Sequence, residues 1–417
     1  MQHEREAHVF IFPLPLQGPV NCKLKLAEIL SINQIKVTFL NTDYIHQRLI
    51  THTDVPIRFR NYPDFCFWTV PDGLPEENPR TSAEIGNLLE SMDASAVPIF
   101  REMLLTAETP VTCLIADGVF AFASDVAAEI GAPLLYFDTV SPCGFWTLLC
   151  LPRLIQAGEV PFKDDNLDEM IMNAPGMEGI IRRRDLPSFC RTNDINDRRI
   201  RLILHEARHI PLAQGLIFNT FHHLEAPILS QISTICPNIY AIGPLHAHHK
   251  AGSRFAPRPP TASGKKTGAA FLGWTNSPPN LLFLWVRRPG SVIGYLDEAG
   301  ILSPDQDLTR GTEERGCVVS MVEGKPMICR PDFLDQHVNS RYVEAVWKVG
   351  LDMKDSCDRA VVEKMVIEVM ESRKDEFLKG AEEVAESAKA AVSPDGSSFV
   401  DMDRLIEEIK TKKIAIK

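Results

Sequence analysis

An α/β fold is predicted for this chain, with a doubly wound, parallel-sheet domain in its amino-terminal half. Three observations predict it. Compact β-rich runs alternate with helical apolar patterns as far as residue 245. Strand, loop, helix and strand follow one another as βαβ units, which implies a parallel sheet. At 417 residues the chain is also too long for one ordinary core, so two domains are expected.

The elements follow in order. His8–Phe12 (HVFIF) reads as the first strand. After a loop with Gly18, the residues Leu24, Leu26, Ala27, Ile29 and Leu30 carry a helical pattern, and Ile35–Leu40 is the second strand. Phe65–Val70 is a third strand, ended by the turn Pro71-Asp72-Gly73. Ser82–Leu105 is helical, with Ile85, Leu88, Leu89 and Met92 on one side. Val111–Ala116 is a strand leading to Asp117-Gly118, Ala121–Ile130 a helix, and Pro133–Asp138 the next strand. Between Leu151 and Arg191 regularity fades, and the basic run Arg182–Arg184 reads as part of a solvated loop or of short helices near a cleft. Ile200–Ala213 is a helix, and Leu216–Asn219 and Ile239–Ile242 are strands. Residues 246–268, rich in Pro, Gly, Ser and basic residues, mark a linker. Beyond it Leu281–Val286, Val318–Met321 and Met327–Cys329 read as strands, Val361–Val392 as one or two helices, and Asp401–Lys410 as a closing helix.

Composition excludes several function classes. A hydrophobic share of 45% with 24% charged residues is that of a soluble globular protein. A formal charge of −11 argues against a nucleic-acid partner, which needs a basic surface. The ten cysteines, scattered from Cys22 to Cys357 without a CxxC pair, read as buried thiols of a reducing compartment. The polar start MQHEREAH does not read as a secretory signal, and no run is long enough for a membrane span, so a cytoplasmic protein is expected.

Several stretches resemble one family, the plant UDP-sugar-dependent glycosyltransferases of secondary metabolism. HVFIFPLPLQGPVNCKLKLAEIL at 8–30, CLIADGVFAFASDVAAEIGAP at 113–133, PGMEGIIRRRDLPSFC at 175–190, IFNTFHHLE at 217–225 and YAIGPL at 240–245 resemble its acceptor-binding half. EGKPMICRPDFLDQHVNSRYVEAVWKVGLDM at 323–353 is similar to the end of its donor-binding signature. The branch that glucosylates iridoids is the most similar. The resemblance implies two facing Rossmann-like domains of the glycosyltransferase B type, the second one truncated. Residues 1–245 would bind the acceptor, 269–393 form an incomplete donor domain, and the 394–417 helix pack back on the first domain. It further implies inverting transfer of glucose from UDP-glucose to a hydroxyl or carboxyl of a small terpenoid-like metabolite, by a monomer without resident cofactor or metal.

The resemblance implies roles for particular residues. Asp117 matches the aspartate that orients the family's base histidine, but the histidine position is Pro19 here, so Asp117 itself is the candidate base. Asp335 and Gln336 match the pair that hydrogen-bonds the sugar hydroxyls, work suited to a carboxylate beside an amide. Phe145 and Trp146 are candidates for lining the acceptor pocket, with core packing as the alternative. Two departures accompany Pro19. The front of the donor signature is absent, Val319-Ser320 joining directly to Met321-Val322, and the first donor-domain strand is missing, Ala269–Ser277 passing straight to Leu281–Pro289. Two other readings follow: a relative that binds a small hydrophobic molecule without turnover, or segments lost at misjoined exons. A rival motif, His205-Glu206-Ala207-Arg208-His209, fits the zinc pattern HExxH, although Pro211 follows at once and a solvated helix face is the expectation. His246, His248 and His249 read as linker residues.

Overall fold

A computed structural model describes residues 7–78, 80, 85–191, 194–248, 322–331, 334–354 and 358–411. Seven strands, β1 (His8–Phe12), β2 (Lys36–Thr42), β3 (Phe65–Val70), β4 (Cys113–Ala116), β5 (Leu134–Asp138), β6 (Gly215–Phe218) and β7 (Ile239–Ala241), form one parallel sheet in the order β3-β2-β1-β4-β5-β6-β7. Alternation along each strand decides which layer a side chain joins. Phe10, Phe12, Leu114, Ala116, Tyr136 and Phe218 face one apolar core, while Val9, Ile11, Cys113, Ile115, Phe137 and Ile217 face the other. With both faces covered, the strands need no polar side, which is why they read as continuous apolar runs.

The first core is closed by α4 (Ile85–Leu105), α5 (Phe122–Ile130), α6 (Pro142–Leu149), α7 (Leu151–Gln156), α8 (Arg198–His209) and α9 (His222–Ile232). The second is closed by α1 (Gln17–Ile32), α2 (Asp43–His52), α3 (Val55–Phe59) and, from the far end of the chain, α14 (Ser397–Thr411). This last helix lies along β7. Met402, Leu405, Ile406 and Ile409 enter the second core, and Asp401 accepts the Ala241 N–H at 2.9 Å. Most of the described thiols are inside: Cys22 and Cys113 on one face of the sheet, Cys143, Cys150, Cys190 and Cys236 on the other.

A smaller unit follows a short α10 (Leu245–His248). Strands β8 (Met327–Cys329) and β9 (Gly350–Asp352) pair in parallel around α11 (Gln336–Ala345), and α12 (Arg359–Ile367) and α13 (Lys374–Val392) lead back to α14. The predicted strands Leu281–Val286 and Val318–Met321 and most of the predicted linker lie outside the described residues. The two units meet at the carboxyl edge of the large sheet. Val338 and Tyr342 of α11 join the first core, and the Trp347 indole donates to the Leu224 carbonyl at 3.2 Å. A buried charge network fastens the same seam: Lys354 reaches Asp185 at 2.6 Å, Arg182 reaches it at 3.0 Å, and Lys354 also pairs with Asp352. Burial works against a charge on Asp185, but these cations outweigh it and hold its carboxyl below the usual range. The basic run is thus structural, with Arg183 paired to Asp164 and Glu169 and only 7% exposed.

Candidate active site

Strand order reverses between β1 and β4, and in open α/β sheets such a switch point opens a crevice at the carboxyl ends. Asp117 sits there, directly after β4, its N–H bonded to the Phe12 carbonyl at the end of β1. Its side chain is buried, and Oδ2 takes the Lys23 Nζ at 2.6 Å. Lys23 is fully buried and its ammonium also lies 5.1 Å from the centre of the Phe137 ring. Pro19 stands one helical turn earlier in the first turn of α1, where its missing N–H costs no helical bond. The carboxylate at the switch point is therefore held by an ammonium on the same helix as Pro19.

Two further carboxyls crowd this pair. Asp138 ends β5; its Oδ1 accepts the Val140 N–H at 3.1 Å. Glu206 reaches the same place from α8. A Cβ built on Gly118 would lie 2.6 Å from Asp138 Oδ2 and 3.2 Å from Glu206 Oε1, so only glycine fits between them. Burial first, and then the charge of Asp117, push Asp138 up to about 7. Burial, with Asp138 and Asp117 alongside, drives Glu206 well above the carboxylate range. Glu206 is the glutamate of the HExxH pattern, and its inward direction undoes the zinc geometry. His205 is exposed, and its ring faces that of His209 at 4.4 Å on the other side of the helix.

Asp335 and Gln336 lie at the start of α11, both half-buried. Asp335 Oδ2 accepts Asn339 Nδ2 at 2.8 Å, and Asn339 Oδ1 accepts the Ser141 hydroxyl at 2.5 Å. Ser141 caps α6, accepting the Gly144 N–H at 3.1 Å. A Cβ on Gly144 would collide with that of Asp335, so this glycine lets the two helix starts touch. Asp335 is close enough to act on the charge of Asp138. Phe145 and Trp146 point into the first core, 1% and 6% exposed. Phe145 packs edge-on against Phe218 at 5.1 Å, and Trp146 donates to the Pro175 carbonyl at 2.8 Å. The structure thus brings Asp117, Lys23, Asp138, Glu206 and Asp335 to one edge of the sheet and commits the two aromatic residues to packing.

Lys23 and Asp138 escape the sequence reading and Glu206 enters it only within the HExxH pattern, although spacing marks Lys23 and Glu206. Lys23 stands three residues after Val20 and four before Ala27, on the buried stripe of α1. Glu206 stands three after Ile203 and four before Ile210, on the buried stripe of α8. A charged residue on an apolar stripe is the signal.

No family model matches the chain. It is 40% identical to a 7-deoxyloganetic acid glucosyltransferase of Catharanthus roseus, over 97% of each chain. It is 33% identical to a myricetin 3-O-rhamnoside 1,2-glucosyltransferase of Crocosmia x crocosmiiflora, over 98% of this chain and 97% of that one. The first alignment runs over 474 positions against 417 residues here, so the relative carries internal stretches without counterpart in this chain. Among solved structures, a UDP-glucose:anthocyanidin 3-O-glucosyltransferase in complex with UDP superposes with a TM-score of 0.72 at 18% identity, over 98% of this chain and all of that one. Os79 from O. sativa, solved with a trichothecene, gives 0.68 at 18%, over 96% of this chain and all of that one. These neighbours share the two-domain glycosyltransferase B fold.

Proposed function

Because this chain belongs to the plant UDP-dependent glycosyltransferases, we propose that it transfers glucose from UDP-glucose, with inversion, to the hydroxyl or carboxyl of a small terpenoid of the 7-deoxyloganetic acid kind. The observation that carries this reading is the 40% identity to such a glucosyltransferase across 97% of both chains. The geometry supports it. In the reaction an acceptor oxygen attacks the anomeric carbon, the bond from that carbon to the UDP oxygen breaks, and the acceptor's proton has to leave. The carboxyl edge at the β1/β4 switch offers carboxylates for that proton, and Asp335 and Gln336 of the second unit stand at the same edge, where they would grip the sugar hydroxyls. Asp117, neutralised by Lys23, would accept a hydrogen bond from the acceptor oxygen and fix its direction.

Phe145 and Trp146 would act on the acceptor only through the walls they support, being buried themselves. UDP-glucose is a co-substrate, and no resident cofactor enters the reading. No helix among the described residues is long and apolar enough to cross a membrane. We place the protein in the cytoplasm as a monomer acting on small molecules. The test is incubation of the purified chain with millimolar UDP-glucose and a panel of iridoid and monoterpenoid acids and alcohols, with the glucoside read by mass spectrometry and UDP release in parallel. Glucoside formation on a terpenoid acid is the expected result. Absence of both glucoside and UDP-glucose binding would refute the reading, whereas binding without product would leave a small-molecule binder.

A further inference from the structure

We propose that Asp138, backed by Glu206, is the group that takes the proton from the attacking acceptor oxygen, and that Lys23 withdraws Asp117 from that task. The inference rests on the glucosyl-transfer reading above and names the proton acceptor within it. It starts from how the three carboxyls are partnered. Asp117 is committed: its Oδ2 holds the buried Lys23 ammonium at 2.6 Å. The oxygen that would take a proton already accepts this ammonium, which leaves Asp117 suited to accepting a hydrogen bond. Asp138 is differently placed. It ends the adjacent strand, one oxygen accepts the Val140 N–H, and the other receives no donor among the described residues. That free oxygen lies against Gly118, where no side chain intrudes, and Glu206 lies beside it.

Glu206 is 6% exposed and accepts no hydrogen bond among the described residues, which is costly for a carboxylate and natural for a carboxylic acid. Burial thus pushes Glu206 toward its protonated form, which supports charge on its neighbour. The groups facing Asp138 are Lys23 of α1, Asp117 after β4, Glu206 of α8 and Asp335 before α11. Burial first, and then the charges of Asp117 and Asp335, make Asp138 hold its charge weakly and protonate near neutrality, where a general base works best. Asp335, a candidate for the sugar, faces it from the second unit.

The step balances simply. The acceptor O–H proton passes to Asp138, the oxygen's electron pair forms the bond to the anomeric carbon, the bond from that carbon to UDP breaks and UDP leaves with the electron pair of the broken bond, and Asp138 returns its proton to water.

Asp138→Asn, Glu206→Gln and Asp117→Asn, each nearly isosteric, test this in the full chain, with folding checked by circular dichroism. Asp138→Asn should lower kcat about 10²–10⁴-fold, the usual worth of a positioned base, with KM for UDP-glucose little changed. Asp117→Asn should retain more activity than Asp138→Asn. The parent's kcat should rise with pH through about 7, and Glu206→Gln, which puts a neutral amide in place of a neutral acid, should leave that step nearly in place. Carboxyl-carbon NMR of aspartate-labelled protein reads the Asp138 titration without activity. A folded Asp138→Asn with near-parental kcat, or a labelled protein with no aspartate titrating near neutrality, would overturn the assignment alone. Absence of any glucoside from the parent chain would instead overturn the functional reading on which it rests.

Discussion

Replacing Lys23 by methionine tests the buried pair at the switch point directly. The methionine keeps the volume of the side chain and removes its charge, so packing on α1 is largely conserved. What is lost is the partner of a carboxylate whose side chain is only 5% exposed. Among the described residues, the one other donor to Asp117 Oδ2 is the Leu14 N–H at 3.4 Å, beyond the usual range of about 2.7–3.2 Å. The stranded charge should therefore cost the full penalty of a broken buried pair, about 3–5 kcal/mol, against a whole-domain stability of about 5–15 kcal/mol. Asp117→Asn should cost a similar amount, because it strands the ammonium. The double variant removes both charges, and replacing a whole pair is often close to neutral. Urea unfolding of the four proteins, followed by far-ultraviolet circular dichroism, gives the coupling directly. Single losses of about 3–5 kcal/mol each beside a near-neutral double variant make the expected coupling about 6–10 kcal/mol, with the double variant more stable than either single one. Additive single losses of less than about 1 kcal/mol each would refute the argument, since Lys23 and Asp117 would then not depend on one another.

Three further outcomes follow. Pro19→His alone should restore little turnover, measured as glucoside per minute, because Lys23 already occupies Asp117; a large gain would mean that the pair opens readily. Gly144→Ala should push Asp335 and α11 off the first domain, read as faster proteolysis of the second unit at unchanged first-domain structure. Asp185→Asn should cost less seam stability than the ~3–5 kcal/mol of a fully stranded buried pair, since Lys354 keeps Asp352 and Arg182 keeps Asp168. In the parent, the folded Asp185 carboxyl lies below its unfolded value of about 3.9. Its contribution is therefore complete above that value and lost as pH falls through the lower folded one, so the parent's seam should open in acid while that of Asp185→Asn shows no such step.

Much of the first domain was legible because its strands are short apolar runs buried on both faces, and period and turn chemistry suffice for such elements. His8–Phe12 and Phe65–Val70 were read to the residue. The helices α2 and α3 were missed, since Asp43–His52 buries little more than Leu49 and Val55–Phe59 is barely a turn longer than a loop. So was α6, whose eight residues are almost all buried and show no amphipathic period. A helix apolar on every side has no stripe to find. At the site, Asp117 could be found from its place after a strand, but its partner could not. Lys23 sits in the string KLKL, where Lys25 is only partly buried and neighbouring lysines read alike. What separates them is a registry of three and four residues against Val20 and Ala27, and energy decides that registry only once Asp117 is folded beside it. Asp138 ends a strand and was counted as its last residue; its chemistry depends on Glu206, which arrives from sixty-eight residues away.

The placement of the thiols gives the molecule a built-in clock. Alkylating reagents attack the thiolate, and burial pushes the Cys113, Cys150 and Cys190 thiols up to about 12. In the folded chain these sulfurs are shut off twice, by packing and by protonation, so their labelling reports moments of opening. Cys66 and Cys329, only partly buried, should react at once. Among the other described thiols the signal divides by layer: Cys22 and Cys113 time exposure of the face under α1 and α14, and Cys143, Cys150, Cys190 and Cys236 time the face on which the second unit rests. Peptide mapping after timed alkylation would then tell whether ligand binding quiets one face, the other, or both.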